Sequence, residues 1–216
     1  SQRCTYAKAL AADADTAATS VLNKWQASGE NYRAEFIDEA SSGNNLQALT
    51  DVLLIHIDKE AKDRKMQEAL GISGCTSDEC RARIESPYSK TSLENVKNNM
   101  IGFLNVYNGG EGVGFDNYLS DMGEKTISDG VISKITAIQT NLDSTTVAFV
   151  DQVASLSEAS NQTACTNAYG NPSTPSAEFS ACVLTGLLSE AKAYMFYDFA
   201  VTINVTIPDA AAGDND

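Results

Sequence analysis

The chain is poor in the residues that do most enzymatic chemistry. It holds one histidine, His56, among 216 residues, so an imidazole pair for a metal, or a histidine serving a serine or cysteine nucleophile, has only this ring to draw on. His56 sits in Leu54-Ile55-His56-Ile57 with no second histidine near, and HExxH is absent because Lys59 and Glu60 follow. It reads as a core or boundary histidine. Cys75 and Cys80 lack the two-residue spacing of redox or zinc pairs. Gly110-Glu111-Gly112-Val113-Gly114 follows a predicted helix and has no phosphate-loop lysine. No stretch matches a calcium loop. Asp13 and Asp15 do not share a helix face, and Asp116 and Asp121 only flank Tyr118. No catalytic residue, cofactor or metal is therefore expected, and the chain reads as a non-enzyme.

Positive charge is scarce as well. Lys and Arg number 15 against 29 Asp and Glu, a formal net charge of −14. Phosphate binding needs clustered cations, so nucleic acid is excluded as a partner, and docking on an anionic membrane with it. No run reaches the roughly 18 apolar residues of a membrane span, so direct membrane insertion is not expected. Proline is confined to Pro87, Pro172, Pro175 and Pro208, which leaves long stretches free to be helical.

Apolar steps of three and four residues fill those stretches. Tyr6, Leu10, Ala14, Ala17, Val21 and Trp25 predict a first helix, ended by Ser28-Gly29. Tyr32, Phe36 and Ile37 mark a second. Leu46, Leu49, Leu53, Ile57, Ala61, Met66 and Leu70 mark a third, capped by Gly71 and Gly74. Its charges, Asp58, Lys59, Glu60, Lys62, Asp63, Arg64 and Lys65, read as a solvated face of i, i+4 pairs. Thr76 and Glu79 form a capping-box pattern for a short helix. Leu93, Val96, Met100, Leu104 and Tyr107 carry a fourth long helix.

From Phe115 to about Ala164 the periodicity continues, with one stripe from Val131 to Leu156 spanning about seven turns. Gly123 and Gly130 are the places where it could break or bend. A last helix opens at Ser176 and carries the aromatic cluster Tyr194 to Phe199, which reads as a helix buried on several sides. Val201 to Ile207 alternates like a strand or an extended segment. The fold class is all-α: a disulfide-stapled, antiparallel helical bundle with long helices and a short extended C-terminal segment. It is read as one domain over 1–216. A sub-boundary could fall at the glycine-rich connection 109–114, and 208–216 reads as a flexible acidic tail.

The five cysteines lie in polar, turn-like surroundings, which favours disulfides over buried thiols. Cys165 and Cys182 flank a loop between two predicted helices and would staple a hairpin. Cys75 and Cys80 flank a turn and would bridge locally. Cys4 is left over, as a thiol packed on the first helix or as an intermolecular bridge. The sequons at Asn161 and Asn204 allow N-glycosylation if the source is eukaryotic. Together these imply a secreted, extracellular protein whose leader has been removed. The leading reading is binding of a protein partner or self-assembly. The second is a carrier of a small hydrophobic ligand, with Trp25, Met100, Phe103, Tyr194, Met195 and Phe199 as the walls.

Overall fold

The computed structural model describes residues 2–72 and 77–212. Among them the regular structure is helical throughout. The chain divides into two compact units, Ser1–Leu49 and Thr50–Asp216. The division between the units falls near residue 50, and the glycine connection 109–114 lies inside the second unit.

The first unit holds α1 (Gln2–Trp25), α2 (Tyr32–Phe36) and the start of α3 (Ser42–Ile55). Its rings gather at one point: Trp25 meets Tyr32 edge-on at 5.1 Å and Phe36 at 5.3 Å. Asp38 accepts a hydrogen bond from the Ala40 amide and so starts the 3-10 turn that leads into α3.

In the second unit α3 continues without a break into π1 (His56–Gln67), a π-helix, and then α4 (Glu68–Leu70). Gly71, at φ 73°, caps that rod in the left-handed region. Then come α5 (Asp78–Arg81), α6 (Ser92–Tyr107), α7 (Phe115–Asp121), α8 (Lys125–Ser144), α9 (Phe149–Ser155), α10 (Ala159–Gly170) and α11 (Ser180–Tyr194). A second π-helix, π2 (Met195–Phe199), leads to α12 (Ala200–Thr202), and α13 (Asp209–Ala212) closes the described chain.

Four of these rods form a closed ring: π1 packs on α6, α6 on α8, α8 on α11, and α11 back on π1. Lys97 of α6 pairs with Asp143 at the far end of α8, and the Tyr107 hydroxyl faces Ser128 near its start, so α6 and α8 are antiparallel. Lys134 pairs with Glu190, while Gly130 abuts Tyr194, so α8 and α11 are antiparallel too. A Cβ on Gly130 would stand 2.1 Å from the Tyr194 hydroxyl, so this glycine sets the close approach of two helices and does not bend α8.

The core between the rods is aromatic at one end. Tyr107 lies 6.0 Å from Phe115 and 5.7 Å from Phe199, and Phe115 meets Phe199 edge-on at 5.3 Å. Tyr107 and Phe115 flank the glycine-rich connection, and their shared packing holds it inside the unit. The predicted periodic region from Phe115 to about Ala164 is divided, and its seven-turn stripe with it. Gly123 at φ 84° separates α7 from α8, and α8 ends at Ser144. There Ser144 and Thr145 turn their hydroxyls onto the Asn141 carbonyl, and the following Thr145-Thr146-Val147 leaves the helix.

Cys165 of α10 and Cys182 of α11 are disulfide-bonded and 17 residues apart. Cys80 is also disulfide-bonded, whereas Cys75, Gly74 and Thr76 lie outside the described residues. Val201 to Ile207 does not form a strand: Thr202 ends α12, Asn204 turns the chain at φ 56°, and 205–208 is irregular. Asp209–Ala212 is a helical turn with Ala211 only 1% exposed, so this part of the predicted tail is docked, and 213–216 lie outside the described residues.

Candidate functional site

The chain Thr50-Asp-Val-Leu-Leu-Ile55 is a conventional amphipathic helix, but the twelve residues after it wind as a π-helix. Hydrogen bonds from i to i+5 widen the turn, and such segments concentrate at functional sites. The buried residues of π1 are Ile57, Asp58, Ala61, Lys62, Met66 and Gln67, a repeat of four and five residues. This repeat turns Asp58 and Lys62 inward. Both are 0% exposed, so the expectation of a fully solvated charged face is corrected at these two positions.

Around Asp58 the ions form a network. Lys62 Nζ stands 3.2 Å from Asp58 Oδ1 and 3.1 Å from Asp63 Oδ1. Lys59 reaches Asp58 at 3.5 Å and Asp63 at 3.1 Å. From the facing helix, Lys192 Nζ lies 3.6 Å from Asp58 Oδ1 and 5.5 Å from the centre of the Phe196 ring. Burial raises the pKa of the Asp63 carboxyl above its ordinary value, against the pull of Lys62. Three ammonium groups share two carboxylates, and charges so shielded from water persist only when paired. The cluster is thus a fixed electrostatic joint between π1 and α11.

The other face of π1 turns toward α6 and holds the single histidine. His56 lines an open groove of about 280 Å³ with Val52, Leu53, Asn98, Asn99, Phe103 and Val106. Gly102 forms part of its floor, where an added Cβ would meet no atom within 4 Å. The groove is mostly apolar, and Val52 and Val106 stand 61% and 41% exposed at its rim. Burial lowers the His56 pKa below its ordinary 6.5, Glu60 opposes this, Lys65 adds to it, and a hydrogen bond to the Asn99 backbone opposes it. A neutral imidazole that donates to a carbonyl from one nitrogen is an acceptor at the other. His56 Nε2 is shielded from solvent and has no hydrogen-bond partner. It is an unpartnered acceptor in a mostly apolar groove.

The residues picked from the sequence as ligand walls are placed differently. Met100, Phe103, Met195 and Phe199 are buried in the core of the second unit, and only Phe103 also touches the groove. Tyr194 is half-buried and spans α11 to α8 at Gly130. Trp25 belongs to the first unit with Tyr32 and Phe36. Cys4 is exposed on α1. Asn161 is half-buried and donates from Nδ2 to the Ser155 carbonyl at 2.9 Å, whereas Asn204 is exposed in a turn. Sequence reasoning placed Asp58 and Lys62 on the solvated face and did not single out Lys192. Their signal was available: Asp58 and Lys62 alternate with Leu54, Ile57 and Ala61, and Lys192 interrupts the nearly apolar α11.

Among the described residues no group of three His, Cys, Asp or Glu side chains is placed to hold a metal ion, and no helix is long and apolar enough to cross a membrane. No curated protein and no solved structure matches the chain. A family model does: Peptidase_M75, imelysin, matches residues 1–176, which is most of the chain, so this helical protein belongs to the imelysin family.

Proposed function

We propose that this imelysin-family chain is a non-catalytic extracellular binding protein, and that the groove beside His56 takes a small apolar ligand carrying one hydrogen-bond donor. The observation that carries this reading is the unpartnered, shielded Nε2 of His56 in a groove whose lining is mostly apolar apart from Asn98 and Asn99. Ligand sites are concave, mostly apolar and fixed by a few placed polar groups, and this groove has that composition. A donor on the ligand would satisfy an acceptor that is costly to leave unmade. The family name is that of a peptidase; the binding reading rests on this groove and not on the name. The Cys165–Cys182 bridge supports an oxidising, extracellular setting.

Indole, a flat apolar probe with one N–H donor, tests the reading by calorimetry. Binding is expected for the native chain and a loss of at least tenfold for His56→Phe. Gly102→Leu should fill the groove floor and abolish binding while helix stability holds or rises, since leucine is the better helix former. Equal binding by the native chain and Gly102→Leu would remove the proposal.

A second reading has support from the rim. Val52, Ile101 and Val106 are all exposed on or beside the groove, which suits the apolar face of a helix from a protein partner. Ile101→Asp, at an exposed position outside the groove lining, would weaken capture of such a partner and leave indole binding largely intact.

A further inference from the structure

A second groove, of about 440 Å³, lies between the C-terminal half of α8, the loop after α10 and the middle of α11. Its polar wall comes from α8. The Thr136 and Thr140 hydroxyls donate to the carbonyls of Ile132 and Thr136, each at 2.8 Å, and Ser144 donates to the Asn141 carbonyl at 2.9 Å. A hydroxyl whose hydrogen is committed to the backbone offers only lone pairs. Asn141 Oδ1, in the same wall, is shielded from solvent and accepts no hydrogen bond. Thr136, Thr140, Ser144 and Asn141 Oδ1 therefore present acceptors, beside the Ser133 hydroxyl and the Asn141 amide nitrogen. The wall also ends a 20-residue helix, whose C-terminus carries partial negative charge.

The facing wall is largely apolar and fixed. Pro172, Pro175, Val183 and Leu187 form most of it, with Ser173 as its polar residue. A Cβ on Gly186 would stand 2.3 Å from the Tyr169 carbonyl oxygen and 2.9 Å from Pro172 Cβ, so the loop is pressed onto α11. The disulfide from Cys165 to Cys182 ties α10, which leads into that loop, to α11. The groove is thus held open without a ligand.

A ligand complementary to both walls brings donors without acceptors, a positive charge and a carbon chain. An alcohol or amide brings its own acceptor, and a carboxylate brings acceptors only. An alkylammonium group brings three donors and no acceptor. The geometry points to a binding site for an aliphatic primary amine, with the ammonium head at Asn141 Oδ1 and Ser144 Oγ and the carbon chain along Val183, Leu187 and the two prolines. The formal charge of −14 raises the local concentration of any cation. The same chemistry is offered by a free amine and by a lysine side chain.

Calorimetry on the full chain with hexylammonium, 1-hexanol and hexanoate tests the assignment. Hexylammonium should bind at least tenfold more tightly than 1-hexanol, and hexanoate should not bind. Asn141→Leu should weaken hexylammonium at least tenfold. Ala137→Phe, which fills the groove from α8, should abolish binding, with thermal melts confirming that both variants fold. Equal affinity for hexylammonium and 1-hexanol, or unchanged binding by both variants, overturns the site. N-acetyl-lysine amide separates the sources: tighter binding than hexylammonium identifies a lysine side chain of a partner, and weaker binding identifies a free amine.

Discussion

Asp58 and Lys62 stand four residues apart on π1 and face each other in the protein interior, with 3.2 Å between Oδ1 and Nζ and no exposure of either side chain. Removing one member of a buried pair leaves an uncompensated charge, at a cost of about 3–5 kcal/mol. The two members are not equivalent here. Asp58 also faces Lys59 at 3.5 Å and Lys192 at 3.6 Å, so Asp58→Leu strands cations on two helices. Lys62→Met leaves Asp58 with both remaining lysines. Asp58→Leu is therefore expected to destabilise more than Lys62→Met, and the double variant to recover part of the loss. Urea unfolding of the three variants checks this. Equal midpoints for the two single variants would contradict the network.

The fold near His56 should weaken in mild acid. Burial holds its pKa below 6.5, so the unfolded chain takes up a proton at higher pH than the folded chain does. The stability linked to this ring is complete above pH 6.5 and is lost as pH falls through the folded value. Glu60, Lys65 and the Asn99 carbonyl are the groups acting on the ring, and all remain in His56→Gln. Denaturant unfolding should show the native chain losing more stability than His56→Gln between pH 7.5 and pH 5.5. Parallel losses would exclude a buried neutral imidazole. Asp63 works in the opposite sense at lower pH. Its raised pKa favours the acid form in the fold, so its contribution falls as pH rises from 3.8.

Helix existence was legible because it depends on local periodicity: the apolar steps of α1, α6 and α11 name nearly the residues that form those helices. The division of the Val131 to Leu156 stripe was not, because the stop at Ser144 comes from hydroxyls turned onto the Asn141 carbonyl and not from proline or glycine. The buried ions were hidden for another reason. A rule that charge lies outside is right for exposed Arg64, yet it fails at Lys62, two residues earlier, where π winding shifts the inward face. The His56 groove needed a contact with Asn99, 43 positions along the chain, which no local pattern encodes.

The Cys165–Cys182 bridge closes a span of 17 residues, for which chain entropy predicts about 3 kcal/mol. Cys165→Ser with Cys182→Ser should lower the unfolding free energy by about that amount. It should also loosen the loop carrying Pro172 and Pro175, seen as faster amide exchange there than in α6. Uniform exchange changes across the unit would mean that the bridge supports the whole fold and not this hairpin.

The two sequons should differ in occupancy. Asn161 lies in α10, half-buried, with Nδ2 committed to the Ser155 carbonyl at 2.9 Å, and its neighbour Gln162 donates to the Leu156 carbonyl at 2.8 Å. A glycan on Nδ2 needs room beside that carbonyl, where the half-buried side chain has little. Asn204 is exposed, at φ 56° in the turn after α12, a conformation that asparagine tolerates better than most residues. Secreted from a eukaryotic host, the folded protein should carry glycan at Asn204 and none at Asn161, as read by mass mapping. Asn204→Gln should remove the glycan mass. Asn161→Gln should leave it unchanged and cost about 1 kcal/mol of stability through the lost hydrogen bond. A glycan found on Asn161 in folded protein would show that the start of α10 opens far enough to release its hold on Ser155.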